Sequence, residues 1–267
     1  MADAKITYNS SVIAELNGGQ TATLKCKGKK MDDDVTVESL GGSGTDERFK
    51  QLVEGTLTEI DDSEATAIRD YAFYRITNLQ KFHGANVEKI GEYAFSTNQG
   101  TPVLVDILFP KCTEIKSYAF RNCRFLPKAS FPSMKKINSN SFYNCVAMEM
   151  VDLGQVITIG NEAFSGNASL KVAILRNTEQ MAALSSKTAF DNCYHFHGTV
   201  NTTYNPEGKK DGYFYVPRKW LSDEDETMDY RRATNWTTLA TQFRALEDYT
   251  VDGTTTGELD WEKVNAS

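Results

Sequence analysis

Basic residues are in deficit in this 267-residue chain, with 29 Lys and Arg against 36 Asp and Glu and a formal charge of −7. Nucleic acids and anionic membranes both need a basic face that releases counterions, so neither partner is expected. No stretch approaches the roughly 20 apolar residues of a membrane span. Met1 to Tyr8 also lacks the apolar core of an export signal, so the chain is expected to be made and folded in a cytosol. Catalytic signatures are missing as well: no Gly-x-Ser-x-Gly, Walker-type loop or His-Glu-x-x-His occurs. A glycosidase pair can be formed by any two carboxylates that meet in space, and no spacing singles out two here. No enzymatic activity is expected.

Histidine is scarce, with only His83, His195 and His197. Cys193-Tyr-His195-Phe-His197 has residue types that suit zinc, but alternate residues of a strand give at most two ligands on one face, and no closed site has this spacing. A solvent-exposed turn is the expectation. Asp32-Asp33-Asp34 reads as a solvated turn, because consecutive carboxylates do not converge on a cation without further ligands. No metal and no cofactor are expected. The five cysteines are an odd number, which fits a reducing compartment.

What the chain does have is 40% hydrophobic and 24% charged residues, as in an ordinary globular protein, and one phrase spelled repeatedly. Ile68-Arg-Asp-Tyr-Ala-Phe73 returns as Ile90 to Phe95, Ile115 to Phe120, Ile137 to Phe142 and Ile159 to Phe164, with Phe spacings of 22, 25, 22 and 22. A fixed period of this size marks a solenoid, whose coils bury apolar surface by stacking on one another. After each Phe comes a turn and a short strand: Leu79 to Gly84, Leu104 to Phe109, Leu126 to Phe131, Met148 to Leu153, Leu170 to Leu175. The first, fourth and sixth positions of that frame are expected to face the core and the residues between them solvent. The Phe residues should form an internal stack. Cys123, Cys145 and Cys193, each three residues after a Phe, should form a buried column about 4.8 Å apart. That separation lies in the disulfide range, but stacked side chains point in parallel, so reduced core thiols are expected. Asn167 takes the same slot and is expected to bond backbone in the turn.

The flanks carry further modules. Residues 6–37 alternate apolar and polar residues around Gly turns and read as a small antiparallel strand module. Ser39 to Thr45 is a flexible linker by composition. Asp46 to Val53 has a capping residue and an apolar i, i+3, i+4 stripe, so a helix there is expected to cap the first coil. Glu179 to Ser186 looks helical before a degenerate sixth coil, Thr188-Ala-Phe190-Asp-Asn-Cys193. Gly212 to Val216 is a strand stopped by Pro217, and Leu221 to Ala233 and Asn235 to Leu246 read as two short helices. The expected fold class is mixed α/β and mainly β: N-terminal β module 1–38, linker 39–45, capping helix and solenoid 46–211, and strand-plus-helix cap with tail 212–267.

The frame Ile-Gly-x-x-Ala-Phe-x-x-Cys-x-x-Leu-x-x-Val-x-Leu-Pro resembles the leucine-rich repeats of the BspA type over residues 59–193, with six positions in register through four or five copies. The resemblance implies a right-handed solenoid with a parallel sheet on one side, and a three-residue insertion at Ser96 to Val103 should bulge as a loop. Residues 6–37 resemble the N-terminal segment of phage and prophage structural proteins, particularly tail-associated ones, and the closing segment Tyr-Val-Pro to Trp236 resembles that of phage-borne repeats of this type. That resemblance implies a non-enzymatic virion protein of the tail or baseplate, held by its N-terminal module to other virion proteins and meeting a host surface protein or glycan. A BspA-like bacterial surface adhesin and a capsid decoration or head fibre are the competing placements. Trimerisation would be usual for a fibre.

The expected partner surface is a pair of ladders of outward strand residues. One runs Lys81, Asp106, Lys128, Met150, Val172, and the next His83, Leu108, Ser130, Asp152, Ile174. The ladders turn apolar at Met150, Val172 and Ile174, which reads as a contact patch unless a loop or the C-terminal module covers it.

Overall fold

The computed structural model describes residues 4–8, 11–16, 22–25, 57–61, 66–68, 70–71, 73–74, 79–96, 103–251 and 254–255. The expected linker, the helix at 46–53, Asp32 to Asp34, Cys26 and most of the insertion lie outside them.

The chain opens on an antiparallel hairpin, β1 (Ala4–Tyr8) and β2 (Ser11–Leu16), whose register shifts between Ile6 and Thr7. β3 (Ala22–Lys25) then runs parallel to β4, in the same sheet as the first coils. Each coil supplies two short strands: β4 (Leu57–Asp61) and β5 (Ala67–Ile68), β6 (Lys81–His83) and β7 (Lys89–Ile90), β8 (Asp106–Leu108) and β9 (Glu114–Ile115). There follow β10 (Lys128–Ser130) and β11 (Lys136–Ile137), β12 (Met150–Asp152) and β13 (Thr158–Ile159), β14 (Val172–Ile174) and β15 (Ala183–Leu184). The two-residue strands form an unbroken parallel sheet from β5 to β15, in which Ile68, Ile90, Ile115, Ile137, Ile159 and Leu184 stand in register. β-branched side chains fit that pleated, half-buried surface.

Between the two sides lies the core. Phe73, Phe95, Phe120, Phe142, Phe164 and Phe190 stack face to face with centroids 5.0 to 5.2 Å apart and planes within 10° of parallel. Each ring contributes about 2–3 kcal/mol by burial, and the offset stack adds about 0.5–1.5 kcal/mol per pair. The first, fourth and sixth frame positions of all five coils are buried, as the pattern predicts. Cys123, Cys145 and Cys193 are buried free thiols whose S–H groups donate to the carbonyls of Phe95, Phe120 and Phe164 in the coil before. Asn167 Oδ1 accepts from Cys145 N–H at 2.8 Å, the backbone bond expected of it. The residue before that slot is Asn122, Asn144, Gly166 or Asn192, each at φ between 58° and 78°. Left-handed backbone is strained for most side chains and tolerated by Gly and Asn, which is why the phrase reads Asn-Cys so often.

Three local expectations change. Glu179 to Ser186 is not a helix: Ala183 and Leu184 pair with Thr158 and Ile159, because extending the ladder buries Leu184 beneath Ile159. The sixth coil is therefore complete. Cys193 to His197 is not an exposed turn but precedes and forms a one-turn helix, α1 (Tyr194–His197), with His195 buried. In the C-terminal segment, β16 (Tyr213–Val216) pairs with β14, and the expected helices prove to be short 3-10 turns at Glu226–Met228 and Thr237–Gln242 followed by β17 (Phe243–Ala245). Phe243 lies within the stretch Asn235 to Leu246 read as helical, yet it pairs with Phe214 as a strand residue. The chain then reaches a last hairpin, β18 (Thr250–Val251) and β19 (Thr254–Thr255).

This segment closes the end of the stack. Trp220 Nε1 donates to Asn177 C=O, Trp236 Nε1 to Ala182 C=O and Asn235 Nδ2 to Leu184 C=O, while Tyr230 Oη accepts from Ala182 N–H. The last edge thus has partners for its peptide groups and is shielded from pairing with another chain.

Candidate recognition surface

Outward residues of β6, β8, β10, β12, β14 and β16 form the two ladders expected from the sequence, with Lys81 opposite Asp106 and Lys128 opposite Met150, Val172 and Tyr213 in turn. Their environments differ sharply along the stack. At the N-terminal end Asp106 accepts from His83 Nε2 at 3.0 Å and lies 3.6 Å from Lys81 Nζ, both in contact with solvent. Leu108 and Val105 beside it are 41% and 45% exposed.

At the other end the second ladder is buried, at Asp152 and Ile174, while Met150 and Val172 of the first stay half-buried. Asp152 is 1% exposed; it caps Gly154 N–H at 2.9 Å and meets Arg176 Nε at 2.8 Å, so it is a structural carboxylate rather than a surface one. Ile174 has no exposed surface and forms a satellite cluster with Leu246 and Tyr249, against which Met150, Val172 and Tyr215 also pack. The apolar patch read as a contact site is thus an internal seal for the C-terminal segment. Lys81, His83, Asp106, Leu108, Lys128 and Ser130 remain outside it.

Between the open and closed halves the sheet itself is interrupted. β8 ends one sheet and β10 begins the next, although the two-residue strands continue unbroken behind them. In the equivalent coils Val105, Glu149 and Lys171 each donate N–H to the preceding coil, at Gln80, Pro127 and Glu149. The matching residue in β10's coil is Pro127, which has no N–H to give Val105 C=O. The bond at the far end is missing too. Gly84, Phe131, Leu153 and Leu175 donate to the next coil, at Leu108, Asp152, Ile174 and Tyr215, whereas their equivalent Phe109 has no such bond to Ser130 C=O. A cleft of about 530 Å³ opens there, lined by residues of both strands together with His83, Pro110 and Pro132. Pro127 was the signal in the sequence, a proline immediately before a strand, and reasoning from side-chain ladders alone passes over it.

A second feature missed in the sequence is an aromatic stack on the opposite turns. Tyr71, Tyr93 and Tyr118 lie face to face at 5.1 and 4.7 Å, and Arg121 sits 5.7 Å from the rings of both Tyr118 and Tyr143. The Tyr that fills the fourth position of the phrase in the first three copies was its mark. Burial raises the Tyr71 and Tyr93 hydroxyls, with neighbouring tyrosines and Glu92 adding to the effect.

His195 and His197 do not converge on Cys193. His195 Nδ1 lies 2.6 Å from Asp211 and its Nε2 3.0 Å from Tyr204 C=O, while His197 Nε2 meets Phe190 C=O and Cys193 Sγ bonds Phe164 C=O. His195 thus clamps the loop between α1 and β16, while His197 and Cys193 tie α1 back to the preceding coils. Among the described residues no group of three or more His, Cys, Asp and Glu could hold a metal ion, and no helix is long and apolar enough to cross a membrane.

A family model described as BspA type leucine-rich repeat region matches six copies, over residues 46–171 and 99–203. Solved structures similar to the chain include a leucine-rich repeat protein of T. pallidum, 24% identical over 52% of this chain, with a TM-score of 0.40. Another is a leucine-rich cell surface protein of Faecalibacterium prausnitzii A2-165, 16% identical over 67% of this chain, with a TM-score of 0.31. The chain covers 64% and 62% of those two proteins, less than two thirds of either. No curated protein matches it.

Proposed function

Because this chain belongs to the BspA-type leucine-rich repeat family, matched over 46–203, we propose that it is a non-catalytic recognition module that meets a macromolecular partner on the sheet face from Lys81 to Ser130. One observation carries the reading: Asp106 and Leu108 of β8 are exposed and the outward residues of β6 and β10 half-buried, whereas Asp152 of β12 and Ile174 of β14 are buried against Arg176 and the C-terminal segment. The open part combines an exposed apolar pair, Val105 and Leu108, with charges of both signs at Lys81, Asp106 and Lys128. An apolar centre with a polar rim is the usual composition of a protein contact. The test is a Val105→Glu, Leu108→Glu variant, which touches no core residue. Binding to intact host cells is expected to fall at least tenfold, and unchanged binding overturns this face as the contact.

For the setting, the resemblance of residues 6–37 to phage tail-associated proteins and of the closing segment to phage-borne repeats of this type supports a virion component, attached to other virion proteins through residues 1–38. Immunogold labelling of purified particles and of intact cells tests that placement. Label on a particle tail or baseplate is expected; label on capsids or confined to the cell envelope overturns it, the latter favouring the adhesin, and leaves the recognition face standing.

A further inference from the structure

The cleft between β8 and β10 lies where the outward side chains are smallest. Along the row His83, Leu108, Ser130, Asp152, Ile174 and Tyr215, the serine is the smallest member, so the surface drops at that rung. Its walls are apolar and stiff. Leu108 and Val105 are 41% and 45% exposed, and Pro110 and Pro132, which follow the buried Phe109 and Phe131, add two rigid rings. Polar groups are few. Asp106 is engaged by His83 and Lys81, while the half-buried Ser130 hydroxyl bonds no other described residue.

Whatever enters does so as a side chain from the solvent side. An inserted backbone would need about 4.8 Å to each strand, hence roughly 9.6 Å between them, whereas Cα atoms of β8 and β10 remain within 8 Å of each other. The volume of about 530 Å³ falls in the range of small-ligand sites, about 300–1,000 Å³. Apolar walls with one unpartnered hydroxyl fit a flat side chain that is apolar along its length and polar at its tip. Phenylalanine would cover the Ser130 hydroxyl without bonding it, which is costly. The indole N–H of tryptophan sits on the flank of its ring and only donates. A lysine or arginine would add a cation to a mouth that already has Lys81 and Lys128 against Asp106, two positive groups to one negative in a chain of net charge −7. Tyrosine meets each condition, because its phenol both donates and accepts at the tip.

We propose that this cleft is the anchor pocket for a tyrosine of a protein partner, in a segment that carries an acidic residue beside that tyrosine. The inference rests on the recognition reading above and names the partner chemistry of its open face. The ring lies against Leu108, Pro110 and Pro132, the phenol meets Ser130 Oγ, and the acidic neighbour faces Lys81 and Lys128. A single aromatic anchor seated in a pocket and ringed by weaker contacts is how most binding energy at protein interfaces is concentrated.

The test is titration of the full chain with the capped tripeptides Glu-Tyr-Glu, Glu-Phe-Glu and Lys-Tyr-Lys, and with methyl glucoside, read by protein-observed NMR. Glu-Tyr-Glu is expected to shift the Leu108 methyl and Ser130 amide resonances, and to bind about threefold more tightly than Glu-Phe-Glu and about fivefold more tightly than Lys-Tyr-Lys. Ser130→Ala should bring the tyrosine and phenylalanine peptides to equal affinity, which a merely structural disturbance would not do. Equal binding of those two peptides by the wild type, a tyrosine preference that survives Ser130→Ala, or tighter binding of the glucoside in the cleft overturns the pocket. If no peptide binds while Val105→Glu, Leu108→Glu still abolishes attachment to cells, the pocket falls and the recognition face stands. If Glu-Tyr-Glu binds as expected and that variant attaches normally, the recognition face falls instead.

Discussion

The ring of Tyr249 lies 4.4 Å from that of Tyr215, edge against face, and the two close over Ile174, which retains no exposed surface. Burial pushes the Tyr249 hydroxyl up to about 12. Glu247 and Asp248, just before it, hold Arg218. Replacing Val172 with Glu and Ile174 with Lys therefore attacks a seal and not a docking site. Two charges would be forced beneath Tyr249 or the segment must detach, at a cost of at least ~3 kcal/mol. The expected outcome is a lower Tm with new proteolytic cleavage after Phe243. Melting and cleavage like those of the wild type would show that the segment does not seal the ladder.

This seal shows where sequence reasoning stops. Period, burial pattern, Phe stack and Cys column were legible because each depends on a residue repeating in register with its own copies. Ile174 pointing outward was legible too, and the C-terminal module was one of the two covers the sequence allowed; that Tyr249 supplies it was not legible, because Tyr249 comes 75 residues later in no repeated context. The same limit explains Glu179 to Ser186, where a helical pattern yields to the register that sets Leu184 under Ile159. Pro127 was readable in principle, since its missing donor is a local property, but its effect is seen only against the bonds that its equivalents make.

Phe120 lies between Phe95 and Phe142, with both centroids 5.0 Å away, and is fully buried. Phe120→Ala removes one ring from the middle of the stack, where the coils on either side are held by their own strand bonds and cannot collapse onto the void. A loss of about 3–5 kcal/mol is expected in denaturant unfolding. Because a solenoid is stabilised by neighbour contacts, amide exchange should accelerate most in the coils of Phe95 and Phe142 and least near Trp236. Uniform acceleration along the chain would contradict this one-dimensional coupling.

Asp211 couples stability to acid. Burial works to raise its carboxyl, but the hydrogen bond and charge of His195 and the charge of Lys171 outweigh it, so the group stays below its ordinary 3.8 when folded. A carboxylate depressed on folding stabilises above its unfolded value, and that contribution is lost as pH falls through the folded value. Asp211 is partly exposed, so the effect is modest. Between about pH 5 and pH 3 the wild-type urea midpoint should fall more steeply than that of Asp211→Asn. Parallel curves would remove Asp211 as the acid-sensitive clamp.

The thiols offer the last check on the stack. Cys112 donates to Glu114 C=O, and Cys123, Cys145 and Cys193 to the Phe carbonyl of the preceding coil, so each sulfur has a partner and no path to water. Burial raises all four, Cys112 to about 12, which leaves almost no thiolate near neutral pH. Thiolate is the reactive form. A Cys26→Ala protein should therefore show no thiol that reacts quickly with an aromatic disulfide reagent at about pH 8, and four after denaturation, since the chain has five cysteines in all. Slow reaction at a rate independent of reagent concentration would report opening of the coils, and its protection by stabilising conditions should match the amide exchange of the Phe stack. Rapid titration of even one of the four in the native protein would mean that the column is accessible, and the core reading of these cysteines would fail.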